Sequence, residues 1–173
     1  MEEGELARLL IDNGLTNGVR LACIGVEEPS LLRKLADVVG SNGVVYAVEK
    51  DKDRLAAVEE IVRNGYDNVK PFYAPLLERI PYLPNNWFNL VLLYHTPERV
   101  SPYYLTLLNE THRLLKHGGK AIVVSRVKGL LSREGVEEKE LDKAISTTSF
   151  KLEHKIKKAK ELVVILTRVE PEE

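Results

Sequence analysis

Two periods of apolar and polar positions run through this chain, and the switches between them mark out strands and helices. Residues 5–12 read as a short helix that Gly14 stops. Val19 to Gly25 (VRLACIG) is a mostly apolar run of strand length. Pro29 stands at the first position of a helix, PSLLRKLADVVG, whose Leu31, Leu32, Leu35, Val38 and Val39 share a face. Val44 to Glu49 (VVYAVE) is rich in β-branched residues and reads as a second strand. Asp51 can cap a helix with the stripe Leu55, Val58, Ile61 and Val62, ended by Gly65. Val69 to Tyr73 is a short strand containing Pro71, and the prolines between Pro75 and Asn86 predict a loop with room for one helical turn. Asn89 to Tyr94 (NLVLLY) is apolar without alternation, as in a strand covered on both faces. Ser101-Pro102 predicts a cap and a first helical position, for a helix carrying Tyr104, Leu107, Leu108, Thr111 and Leu115 inward and stopping at Gly118-Gly119. Ala121 to Ser125 is another buried strand.

The last third changes character. Residues 134–148 predict a charged helix with a thin stripe of Val136, Leu141, Ala144 and Ile145. Phe150, Leu152 and Ile156 then alternate with charged residues, and Leu162 to Thr167 (LVVILT) is fully apolar; a tight turn near Lys158 makes the two an antiparallel hairpin. Five β-α units followed by that hairpin predict an α/β, doubly wound, mostly parallel sheet with helices on both faces, in one domain over residues 1–173. Ligands of such sheets bind at the carboxyl ends of the strands, where strand order reverses. That places the residues of interest just after Gly25, Glu49, Tyr73, Tyr94 and Ser125.

Composition narrows the classes. The chain has 173 residues, 44% hydrophobic and 29% charged, with 25 Lys and Arg against 26 Asp and Glu, a net charge of −1. That balance argues against a dedicated nucleic-acid binder. The lysines around the hairpin (Lys151, Lys155, Lys157, Lys158 and Lys160) are expected to protect a sheet edge. One cysteine, Cys23, excludes an internal disulfide, and four histidines on separate elements predict no metal site. No apolar run reaches the roughly 20 residues a membrane span needs. An acidic start, Met1-Glu2-Glu3, is unlike a targeting peptide, so a cytoplasmic location is expected. The absence of Gln with abundant Glu, Lys and Arg suits a thermophile.

VYAVEKD (45–51), LPNNWFNLVLLYHTPERV (83–100) and LLNETHRLLKHGGKAIVV (107–124), in this order and spacing, resemble the class I S-adenosylmethionine-dependent methyltransferases. The resemblance runs from about Leu6 to Val169 and implies a Rossmann-like sheet of seven strands, the last antiparallel. It implies S-adenosylmethionine as cofactor and a site of Gly25, Glu49, Ala74 and Tyr94, with His95 facing the acceptor. Glu49, 24 residues after Gly25, would accept both ribose hydroxyls. Ala74 or Pro75 stands where many relatives carry an Asp for the adenine amino group, which leaves the adenine to backbone groups and apolar neighbours such as Leu76. His95 is a candidate general base; the plainer reading is a histidine holding the turn into Thr96-Pro97.

The glycine-rich loop departs from the family. Where relatives carry acid-x-Gly-x-Gly-x-Gly, this chain reads CIGVEEP, with Cys23 in place of the acid and only Gly25 kept. Glu27 and Pro29 stand at the other glycine positions; Glu27 adds bulk where ligand is expected and Pro29 removes an amide donor. Glu27 or Glu28 could also cap the helix that follows. Two functions stay open: a methyltransferase acting on a small-molecule or partner-delivered acceptor, and a non-catalytic binding or scaffolding relative. A nicotinamide-dependent oxidoreductase fits less well, for want of the same glycines.

Overall fold

The computed structural model describes residues 1–129 and 133–170. Its helices are α1 (Glu3–Asp12), α2 (Pro29–Val39), α3 (Lys52–Arg63), α4 (Thr96–Val100), α5 (Tyr104–Leu114) and α6 (Glu138–Thr147). Its strands are β1 (Arg20–Ile24), β2 (Val44–Glu49), β3 (Val69–Tyr73), β4 (Phe88–Tyr94), β5 (Leu115–Arg126), β6 (Phe150–Lys158) and β7 (Glu161–Arg168). All seven strands form one sheet in the order β3-β2-β1-β4-β5-β7-β6, parallel from β3 to β5. β7 runs antiparallel to β5, and β6 antiparallel to β7. This is the expected doubly wound, mostly parallel seven-stranded sheet. No helix among the described residues is long and apolar enough to cross a membrane.

The period-2 geometry of a strand splits the core into two layers. On one face Ala22, Ile24, Val91, Leu93, Val123 and Val164 pack under α5 and α6. On the other, Leu21, Cys23, Leu92 and Val124 pack under α1, α2 and α3, which bring Leu6, Leu35 and Ile61. Tyr46, Trp87 and Phe88 meet edge-to-face with centroids 5.0–5.7 Å apart, fixing the entry to β4.

Three boundaries differ from the sequence reading. The helix expected from Ser101 starts at Tyr104, and an unforeseen one-turn helix, α4, precedes it. Leu115 belongs to β5 rather than to the helix, because it pairs with Phe88; Gly118, with φ +81°, turns the chain inside an irregular stretch of the strand before Lys120 pairs with Leu90. Val136 lies outside α6, in a bridge to Val127. The strand order reverses between β1 and β4, so the chain leaving β1 at Gly25 and the chain leaving β4 at His95 flank one crevice.

Candidate functional site

Glu49 closes β2 and is fully buried. Its Oε1 accepts the Val26 N–H at 3.0 Å, and its Oε2 accepts the N–H groups of Lys50 and Asp51 at 2.6 and 2.8 Å. Arg99, on α4, lays its guanidinium across both oxygens, with Nη1 2.7 Å from Oε1 and Nη2 2.8 Å from Oε2. This parallel, two-pronged arrangement is the strongest geometry an arginine and a carboxylate can adopt. Burial works to raise the Glu49 carboxyl, but the hydrogen bonds from Arg99 and from the Asp51 and Val26 amides, with the Arg99 charge, outweigh it and hold it at about 2, against an ordinary 4.5. Arg54 adds a more distant positive charge, 3.9 Å from Oε1.

Gly25 sits beside this pair in a left-handed conformation, φ +81°. A Cβ there would lie 3.1 Å from Arg99 Nη1 and 3.5 Å from Thr96 Oγ1. The hollow that a glycine leaves at the end of β1 is therefore filled by the guanidinium of the same chain. Thr96 hydrogen-bonds the Ile24 carbonyl and ties α4 to the end of β1.

His95 is buried and itself left-handed, φ +56°, a conformation that costs a non-glycine residue about 1–3 kcal/mol and clusters at functional sites. Its N–H donates to the Val124 carbonyl at 2.7 Å. Its ring stacks on Tyr94 with centroids 4.2 Å apart. Nδ1 lies 3.6 Å from Glu27 Oε1, and Nε2 lies 3.6 Å from Glu161 Oε2. Neither contact is a hydrogen bond, so both ring nitrogens are buried without a partner. Tyr94 donates its hydroxyl to the Met1 carbonyl at 3.2 Å, and burial, seconded by nearby carboxylates, pushes its phenol up to about 12.

Glu27 does not cap α2, as its position suggested, and Glu28 at the cap position makes no capping hydrogen bond with its side chain. Glu27 instead reaches into the crevice, 3.6 Å from Arg54, 3.6 Å from His95 and 3.9 Å from Arg126. Ala74 is buried and bound through its N–H to the Glu49 carbonyl at 3.0 Å. The structure thus gathers Gly25 and Glu49 in one cluster, with Tyr94 and His95 in a second across the crevice, and Glu27 and Arg54 between them. Arg99 escaped the sequence reading; a basic residue in the short HTPERV segment after β4 was the one available signal.

Unpartnered buried polar atoms collect here. Arg54 Nη1, both His95 nitrogens, Glu98 Oε1, Ser125 Oγ and Glu161 Oε2 are all buried without a hydrogen bond. Such atoms are costly in a protein's interior and tend to mark places where a ligand completes the set. A cavity of about 380 Å³ edged by Asn13, Val19, Asn89, Lys116 and Lys120 lies at the opposite end of the sheet and holds none of the candidate residues.

No protein-family model matches the chain. The demethylmenaquinone methyltransferase of Geobacillus kaustophilus is 34% identical over 89 residues, 51% of this chain and 37% of that protein. The chain therefore spans little more than a third of the length of the curated relatives it matches. A methyltransferase structure from Aquifex aeolicus, described as dependent on S-adenosylmethionine, superposes with a TM-score of 0.79 at 22% identity, covering 94% of this chain and 88% of that one. The [4+2]-cyclase SpnF superposes with a TM-score of 0.71 at 18% identity over 88% of this chain and 58% of its own. The chain thus has the fold of solved S-adenosylmethionine-dependent methyltransferases, and about half of its sequence is similar to curated methyltransferases.

Proposed function

We propose that the protein is an S-adenosylmethionine-dependent methyltransferase acting on a small molecule or on a substrate delivered by a partner. The observation that carries this reading is Glu49, a fully buried carboxylate at the end of β2, set beside a left-handed glycine at the point where strand order reverses. The residues suit the cofactor on two conditions, that the Arg99 side chain and the Glu27 side chain, which reaches in between Arg54 and His95, both turn aside. The hollow above Gly25 is filled by the far end of the Arg99 side chain rather than by backbone, so the space opens when that side chain turns away.

Bound S-adenosylmethionine would supply an activated methyl group, which leaves the protein the work of positioning and of excluding water. Glu49 then accepts the ribose hydroxyls, and Gly25 lets the backbone approach closely. Ala74 and Leu76 line the adenine. Tyr94 keeps its proton at neutral pH and supports the ring of His95. His95 takes the proton an acceptor loses, and the positive charge it gains lies between the carboxylates of Glu27 and Glu161.

A second reading, a binding or scaffolding protein without catalysis, is favoured by the same Arg99–Glu49 pair, which uses both oxygens of the ribose-holding group internally. The SpnF likeness is a reminder that this fold also carries other chemistry. Calorimetric titration with S-adenosylhomocysteine separates the two readings. The enzyme reading expects saturable binding that Glu49→Ala weakens by about 1–3 kcal/mol, the usual cost of leaving buried hydrogen-bond partners unpaired. Absence of heat at millimolar ligand favours the scaffold.

A further inference from the structure

We infer that Arg99 is a built-in competitor for the cofactor's ribose, an internal guanidinium that must leave Glu49 before a nucleoside can bind. The inference rests on the reading of this crevice as the cofactor site.

Three features carry it. First, the guanidinium satisfies Glu49 in the way a ribose would: two donors, one to each oxygen, at 2.7 and 2.8 Å. Two hydroxyls on adjacent carbons can offer the same number of donors, so the two ligands are alternatives. Second, the carboxylate does not depend on Arg99 for its place. Three backbone amides, of Val26, Lys50 and Asp51, hold it whether or not the guanidinium is there. Third, the guanidinium has somewhere to go. Its side chain is 18% exposed, where Glu49 is fully buried, and the carboxylates of Glu27 and Asp51 also attract its charge. The exchange breaks two hydrogen bonds and forms two, with no proton moved and no covalent bond changed.

An internal competitor lowers apparent affinity by the fraction of molecules in which it is engaged. Removing it must therefore tighten binding, the opposite of what removal of a ligand-contacting arginine does. Arg99→Met keeps most of the side-chain volume and leaves the three amides on Glu49. Titrated with S-adenosylhomocysteine, this variant is expected to bind at least tenfold more tightly than the wild type, including the case where only the variant binds measurably. Equal or weaker binding by the variant overturns the competitor role while leaving the proposed function standing if the wild type binds. Silence from both proteins at millimolar ligand overturns both. A second readout on the wild type covers the case in which the variant does not fold. The guanidinium N–H resonances of Arg99, assigned by their loss in Arg99→Lys, should shift and exchange faster with solvent as S-adenosylhomocysteine saturates the protein; resonances unchanged at saturation overturn the inference.

Discussion

At the scale of single residues, the chemistry turns on how a carboxylate can be both buried and charged. Taking an ion out of water is expensive unless every lone pair finds a donor, and Glu49 finds five: three amides and the two arms of Arg99. The consequence is a pH dependence with a definite sign. The folded protein holds Glu49 at about 2 and the ordinary value is 4.5, so the unfolded chain takes up the proton first as pH falls. The stabilisation is complete above pH 4.5 and is lost as pH drops towards 2, about 3 kcal/mol at 1.36 kcal/mol per unit. Glu60 and Glu138 are also lowered by their basic neighbours, but such surface ion pairs add little. Urea denaturation of the wild type is expected to show a falling midpoint across that window, and Glu49→Gln a flatter profile from a lower plateau. An equally steep profile in the variant would assign the acid sensitivity elsewhere. The sequence could put Glu49 at the end of β2 because the rule that nominates it is positional, an acid at the end of the second strand. Arg99 was invisible because its partner lies 50 positions away, and no local pattern records such a pair.

At the scale of elements, what was legible is what is local. Asp51 was read as a cap from its place before an apolar stripe, and its side chain accepts from the amides of Asp53 and Arg54 at 2.9 and 3.0 Å. Asp51→Ala should therefore cost about 1 kcal/mol, read as a lower urea midpoint with an unchanged slope. A midpoint that does not move would show that packing alone holds α3. The misread boundaries have the same origin in reverse. Five residues of α4 are too few to display a helical period. Leu114 and Leu115 are apolar in either period, and only the pairing of Leu115 with Phe88 decides that the strand has already begun. Glu27 looked like a helix cap because helix starts attract acids; three cationic or titratable side chains, Arg54, His95 and Arg126, lie on its other side and draw it into the crevice.

At the scale of the whole molecule, topology does the positioning. A parallel sheet that winds outward from β1 in both directions reverses strand order at the carboxyl ends of β1 and β4, and most of the buried polar atoms without partners among the described residues lie there. On the edge strand β6, Lys155 and Lys157 pair with Asp142 and Glu138 of α6 at 2.8 and 2.9 Å. The fold was thus readable from periodicity, and topology nominates the candidate site. The state of the site depends on contacts between α4 and β2 that periodicity does not encode. The most direct test is a crystal structure of the protein grown with S-adenosylhomocysteine. The account predicts the ribose hydroxyls on Glu49, the Arg99 guanidinium turned out of the hollow above Gly25, and the thioether end near Tyr94 and His95. A ligand bound elsewhere, or a crystal at saturating ligand with Arg99 still clasping Glu49, would contradict it.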